Sequence, residues 1–348
     1  MDQLGSCSSG MENDAKGYFL AVSSSLISVV IPCYNSETLI GKAIQSIQNQ
    51  TYTNWELIVV DDASQDNSVH KIEAIQDSRI KLIKLTVNQG YPAAMNAGIA
   101  QAKGEYIARM DADDISAPGR LEEQINLLHA NPRASFCGTN RFRITPGGKM
   151  YIDRVKNDHP VKWESWDDLM SGVRIFTDAS VVIRRETILQ AGGYRTYQRS
   201  GMDVDLWLRV MEKFGPEITS MKPLYGRTIE PNSLIFNPAT YSINQIPRVL
   251  ATQRKERGQD DVQDGKSVVV EDYIRKGWVK EGKTEDKVGL FFGSLVTCLW
   301  LRDWKGVGIY YRQIRHTSNL SLARITFIIL KKLTQRMRNN PFERNNLF

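Results

Sequence analysis

Six consecutive residues, Met110-Asp111-Ala112-Asp113-Asp114-Ile115, follow an apolar run, Gly104-Glu105-Tyr106-Ile107-Ala108-Arg109, with the composition of a strand. Side chains at i and i+2 of an extended segment point to one side, so Asp111 and Asp113 can present two carboxylates to one point beyond that strand. Two carboxylates so placed repel unless a cation joins them. Hard oxygen donors suit Mg2+ or Mn2+, and Mg2+ takes one or two protein carboxylates and completes its shell with water and substrate phosphates. The spacing therefore suits a metal that bridges a nucleotide diphosphate. Taken alone, the same acids also read as a solvated turn.

The surrounding elements bear on that choice. Residues 26–31 are apolar and β-branched, end at Pro32 and lead into helical spacing over 37–48, which predicts a βα unit. Further strands are expected at 55–60, running into Asp61-Asp62, and at 80–85, running into Asn88-Gln89-Gly90 and a helix over 93–102. Nearly all-apolar strands alternating with helices imply an α/β fold with a mostly parallel sheet covered on both faces. Ligands of such sheets bind beyond the carboxyl ends of the strands, where Tyr34-Asn35, Asp61-Asp62, Asn88 and Asp111 to Asp114 collect. After Pro118 a helix (120–130) and a strand (135–137) continue the domain. Gly147-Gly148 reads as a hairpin turn, 180–183 as a strand, 186–190 and 205–214 as helices, and 254–267 as a long polar loop. The chain divides into a flexible leader (1–25), a catalytic domain (26–240, its nucleotide-binding half 26–115 and its acceptor half 116–240) and a helical, basic C-terminal region (241–348).

Five blocks in order resemble the family 2 glycosyltransferases, inverting and non-processive nucleotide-sugar enzymes of the glycosyltransferase A fold. They are "SVVIPCYNSETLIGKAIQSIQNQTYTNWELIVVDDASQDNS" from Ser28, "NQGYPAAMNAGIAQAKGEYIARMDADD" from Asn88, "PGRLEEQ" from Pro118, "RRETILQAGGYR" from Arg184 and "DVDLWLRV" from Asp203. The resemblance covers roughly 26–225. It implies that Pro32, Tyr34, Glu37 and Asp62 line the nucleoside pocket, with Tyr34 against the base and Asp62 accepting its imide hydrogen, a charge-assisted bond. Asn88 and Gly90 open the next loop, where glycine lets backbone approach a ligand or simply makes a turn. Asp111, with Ala112 beside it, would hold the ribose, and Asp113 the Mn2+ or Mg2+ that neutralises the diphosphate. Asp114 either joins the metal shell or caps the helix near Pro118.

The resemblance also places the base. Inversion requires an acceptor hydroxyl to attack opposite the leaving group and lose its proton, which one carboxylate can take. Asp203 matches the family's base; the family commonly has Glu-Asp there, and this chain has Met202-Asp203. Asp205 is the rival, and Trp207 and Arg209 read as packing and surface. Many relatives carry a histidine near Asp178, which is either an acceptor contact or a buried capping acid. The Gln-x-x-Arg-Trp motif of processive synthases is absent, which favours single-sugar transfer.

Composition and charge narrow the rest. The net charge of +6 belongs to the tail, because residues 301–348 carry ten Lys/Arg against two acids and leave the remainder at −2. That disfavours nucleic acid as the partner of the catalytic domain. Four scattered cysteines suggest neither a disulfide framework nor a zinc site and fit a cytoplasmic setting. Over 322–338, Leu322, Ile325, Ile329, Leu333 and Met337 recur at helical spacing among basic residues. That helix would lie peripherally on an anionic membrane carrying lipid-linked acceptors, or pack on the catalytic domain.

Other classes lack their motifs. A nicotinamide enzyme needs Gly-x-Gly-x-x-Gly where Pro32-Cys33-Tyr34-Asn35 stands, and a P-loop ending at Gly265-Lys266-Ser267 needs glycine where Asp260 stands. A sugar nucleotidyltransferase would show a glycine-rich basic loop after strand one. The expected function is transfer of one sugar from a UDP-sugar to a glycan or lipid-linked acceptor, in surface polysaccharide, lipopolysaccharide or glycolipid assembly. The alternative is a catalytically inactive relative that binds sugar nucleotides as a scaffold.

Overall fold

A computed structural model of the chain describes residues 25–152, 159–172, 176–198, 200–229, 237–281, 284–318 and 320–339. The leader expected over 1–25 lies outside them except for Ser25. The N-terminal half runs β1 (Ile27–Cys33), α1 (Ile40–Gln48), β2 (Trp55–Asp61), α2 (Ser68–Glu73), β3 (Ile80–Lys84), α3 (Tyr91–Gln101) and β4 (Tyr106–Arg109). β1 pairs in parallel with β2 on one side and β4 on the other, and β2 with β3. β1 is apolar throughout because both its faces are covered: Ile27, Val29 and Ile31 pack with Ile40 and Ile44 of α1, and Val30 with Met95 and Ile99 of α3. Each such fully buried aliphatic contributes about 1.5–3 kcal/mol. Gly98 lets α3 approach that closely, since a Cβ there would stand 2.4 Å from Val30 Cγ1.

The second half runs β5 (Ile115–Ser116), α4 (Arg120–Ala130), β6 (Phe136–Ile144), β7 (Met150–Ile152), β8 (Val161–Glu164), α5 (Trp166–Ser171), a 3-10 turn (Asp178–Ser180), β9 (Val182–Arg184), α6 (Arg185–Gln190), α7 (Met202–Phe214) and β10 (Glu217–Thr228). Among the described residues ten strands form one sheet in the order β3-β2-β1-β4-β9-β6-β10-β5, with β7 on β6 and β8 on β10. The α/β architecture is as expected. Its parallel run is β3-β2-β1-β4; beyond it β9 lies antiparallel between β4 and β6, and the sheet becomes mixed. Gly147-Gly148 does make the β6–β7 hairpin turn.

The C-terminal region is helical: α8 (Pro238–Ile243), α9 (Ile246–Arg257), α10 (Val270–Arg275), α11 (Thr284–Trp300), α12 (Trp304–Thr317) and α13 (Leu322–Asn339). The loop expected over 254–267 is shorter, because α9 continues to Arg257 and Arg254 and Arg195 both pair with buried Asp260. Asp303 fastens the last helices to the sheet: one oxygen accepts the Gly306 N–H and caps α12, and the other accepts the Gly147 N–H of the hairpin. No helix among the described residues is long and apolar enough to cross a membrane.

Candidate active site

β1 and β2 end beside each other and turn outward, and the first cleft forms there. It has a volume of about 500 Å³, within the range of small-ligand sites, and is lined by Pro32, Tyr34, Asp62, Asn88, Gly90 and Tyr91, with Ser200, Asn237, Thr240 and Ile243 facing them. Tyr34 is half exposed, its ring available to stack. Asp62 is buried, and its two carboxylate oxygens accept the Gln89 N–H at 2.7 Å and the Gly90 N–H at 2.8 Å. The carboxylate thus folds the loop that walls the cleft, and a nucleobase imide would share an oxygen already carrying one amide. Gly90 has φ of 87° and ψ of 162°, a conformation left essentially to glycine, as it enters α3. The Asn88 side-chain amide donates to the Asp62 carbonyl. Glu37 is not in the lining: its carboxylate accepts the Asn67 N–H while its own N–H donates to Asp66, joining the loops behind Tyr34. Ala63 is held at φ of 60°, which costs a β-carbon about 1–2 kcal/mol, in the stretch where Asn35 bonds Ser64 and Gln65.

The acidic loop leaves the end of β4 and crosses the sheet to β5 at the far edge. One oxygen from each of Asp111, Asp113 and Asp114 lies within 4.8 Å of the others, a hard donor set that fits Mg2+ or Mn2+. Asp114 is buried and accepts the Thr228 N–H at 2.9 Å; it does not cap α4, which Gly119 precedes. Burial, then the charges of Asp113 and Asp111, push its carboxyl well above the usual range, a cost that a divalent cation would relieve. Ala112 is buried in the core, so only its backbone can meet a ligand. Asp113 and Asp114 border a second cleft of about 260 Å³, where Lys42, the Gly147-Gly148 turn and Lys305 of α12 meet.

Asp203 lies in the first turn of α7, which starts at Met202 behind Gly201 (φ 74°), earlier than the expected 205. It lines a third cleft of about 160 Å³ together with Arg109, Asp111, Arg141, Asp178 and Arg227. Arg109 joins the acids: its Nη2 is 3.2 Å from Asp203 and 3.4 Å from Asp111, and its Nε–H donates to Tyr91 Oη at 2.7 Å. The Tyr91 hydroxyl donates in turn to Asp111 at 2.8 Å. Burial works against the Arg109 charge, but Asp203, Tyr91 and Asp111 outweigh it and raise its pKa well above the usual value. Burial pushes Tyr91 up likewise, so it stays a phenol. The Tyr225 hydroxyl accepts the Asp111 N–H, and the buried Arg120 of α4 donates to the Arg109 and Ser180 carbonyls.

Asp205, the rival base, points away from this cleft. It is fully buried and pairs with Arg209 at 2.9 Å and Arg195 at 3.6 Å. Arg209 is therefore not a surface residue: it is buried and also donates to the Ala191 and Gly193 carbonyls. Trp207 packs on Phe136 as expected, and its indole N–H donates to Asp178 at 3.2 Å, so Asp178 is anchored from behind while it lines the cleft. Lys266, in the Gly265-Lys266-Ser267 stretch that lacks the phosphate-loop glycine, is tied to Asp261 and Asp264. Arg109, Tyr91, Arg141 and Arg227 were not singled out from the sequence. A polar Tyr91 opening a helix, and a charged Arg109 ending an otherwise apolar strand, were the signals available.

Residues 28–191 match the model of the family described as Glycosyl transferase family 2. EpsE of Bacillus subtilis, assigned as a glycosyltransferase, is 31% identical over 234 residues, 66% of this chain and 82% of that protein. WfgD of Escherichia coli, named UDP-Glc:alpha-D-GlcNAc-diphosphoundecaprenol beta-1,3-glucosyltransferase, is 42% identical over 106 residues, 30% of this chain and 42% of its own length. The crystal structure of S. aureus TarS 1-349 in complex with UDP-GlcNAc superposes with a TM-score of 0.51 over 64% of this chain and 65% of that one, at 17% identity, which is a likeness of fold.

Proposed function

The chain belongs to glycosyl transferase family 2, and from that premise we propose that it transfers one sugar from a UDP-sugar to an acceptor hydroxyl with inversion, in polysaccharide or glycolipid assembly. The observation that carries the reading is the Arg109 guanidinium, which holds Asp203 and Asp111 together in the third cleft and bonds Tyr91 of the first. Residues 26–115 supply the donor site, and Tyr34, Asp62, Asn88 and Gly90 surround the nucleoside. Residues 116–240 supply the acceptor side. Relatives support the donor class, since WfgD is named for UDP-Glc and TarS was crystallised with UDP-GlcNAc.

In the reaction, Asp203 accepts the proton of the acceptor hydroxyl as its oxygen bonds to the anomeric carbon. The bond from that carbon to the diphosphate oxygen breaks, and its electron pair leaves with the nucleotide. Arg109 orients Asp203, and Tyr91 fixes Asp111 against the ribose. A Mn2+ or Mg2+ held by Asp113, with Asp111 and Asp114 beside it, would neutralise charge on the leaving diphosphate. Calorimetry of UDP and GDP, with and without Mn2+, tests the donor site. We expect metal-dependent UDP binding that falls at least about tenfold in Asp113→Ala, the loss of one charge-assisted contact. No binding of either nucleotide under any condition would remove the donor site and leave the scaffold reading.

The proposal extends to a cytoplasmic enzyme that touches an anionic membrane through α13. On that helix Ile325 is buried against α11 and α12, while Leu322, Phe327 and Leu330 are exposed beside Arg324 and Lys331.

A further inference from the structure

Arg227 stands in the cleft of about 160 Å³ beside Asp111 and Asp203, and its guanidinium makes no hydrogen bond or salt bridge to any described residue. An arginine head stays charged at any working pH, and a half-buried one loses hydration that no direct hydrogen bond replaces here. Its electrostatic neighbour is Asp114. Arg109 lines the same cleft, and although its charge is paired, its Nη1 is buried and has no acceptor among the described residues. Arg141 also lines the cleft and reaches Thr177 Oγ1 with one Nη at 3.3 Å. These positions are not scattered. β10 runs parallel to β6 with Tyr225 opposite Arg141 and Arg227 opposite Arg143, so Arg141 and Arg227 rise from one face of two neighbouring strands.

We propose that Arg227, with Arg141, holds an anionic group of the acceptor, a phosphate or a carboxylate, next to the hydroxyl that Asp203 deprotonates. The inference rests on the donor and acceptor reading above and names the acceptor's class. Planar guanidinium forks recognise both oxyanions in two-point fashion. The donor diphosphate belongs to the acidic loop and its cation, whereas Arg141 and Arg227 belong to the acceptor half. Their cleft shares no lining residue with the one around Tyr34 and Asp62. Asp111 and Asp203 match the Arg109 charge, and Asp178 accepts from Trp207, so Arg227 is the guanidinium placed to meet an incoming anion.

The test is calorimetry on the full chain with and without UDP and Mn2+, titrating inorganic phosphate, glucuronate and glucose into wild type, Arg227→Gln, Arg227→Lys and Arg141→Gln. We expect an anion to bind and glucose not to. Arg227→Gln should weaken the anion by about tenfold or more, Arg227→Lys by less, and UDP affinity should stay within about twofold, which also shows the variants are folded. Preference for phosphate assigns a phosphorylated acceptor, and preference for glucuronate an acidic sugar. Equal anion affinity in wild type and Arg227→Gln overturns the subsite. So does a parallel loss of UDP affinity, which would give Arg227 to the donor. Arginine-dependent phosphate binding in a chain that binds no UDP overturns the donor reading, and the acceptor assignment with it.

Discussion

Asp203 and Asp205 lie two residues apart on α7, yet they face different surroundings. Asp203 opens on the cleft under Arg109, while Asp205 is consumed by Arg209 and Arg195 in the interior. Breaking the buried pair would leave an uncompensated charge, so a loss of activity in an Asp205 variant would report folding and not chemistry. Asp203→Asn is the informative change, because it keeps size and removes the proton acceptor. We expect kcat to fall about 10²–10⁴-fold with Mn2+-dependent UDP binding intact. A variant retaining most of its activity would move the base elsewhere, Asp178 being the carboxylate of the cleft that Arg109 does not hold. The acids of this site were legible in the sequence because their type and spacing are local. Arg109 and Tyr91 were not, since their roles depend on partners such as Asp203, 94 residues from Arg109.

Among the elements, β10 ties the acceptor half together and carries an electrostatic load. Its first residue, Glu217, stands directly opposite Glu164 of β8, and both are buried. Burial, then the Glu164 charge, raise the Glu217 carboxyl well above its usual range, although Thr219 Oγ1–H supports it. In the unfolded chain this carboxyl ionises near pH 4.3, while in the folded chain it keeps its proton to higher pH. Between those points the folded state binds the extra proton, so stability declines as pH rises. We expect the thermal midpoint to fall as pH rises above about 5, and Glu217→Gln to flatten that decline. The same slope in wild type and variant would show that another group carries it. The strands themselves were readable from their apolar runs, and 120–130 matches α4 to the residue. Strand direction was not: β9 enters antiparallel between β4 and β6, a pairing that no local pattern encodes.

At the scale of the molecule, the C-terminal helices complete the second cleft, where Lys305 follows the Asp303 that grips Gly147. α13 packs one face on α11 and α12, which belong to the C-terminal region and not to the catalytic domain expected as its support, and leaves Leu322, Phe327 and Leu330 outside. Co-sedimentation with anionic vesicles decides the outer face. We expect binding that weakens severalfold as salt rises through about 0.15 M, and its absence on anionic vesicles at low salt would confine α13 to packing. The sequence by itself determined the alternation of elements, the family and the identity of the acids, because hydrophobic period, turn chemistry and motif spacing are properties of short stretches. Only the tertiary structure decided which charges are matched. Asp205 is silenced and Asp203 faces the cleft, Asp62 is spent partly on its own loop, and Arg227 has no hydrogen bond or salt bridge among the described residues, because pairing depends on which distant segments the sheet brings within about 4 Å.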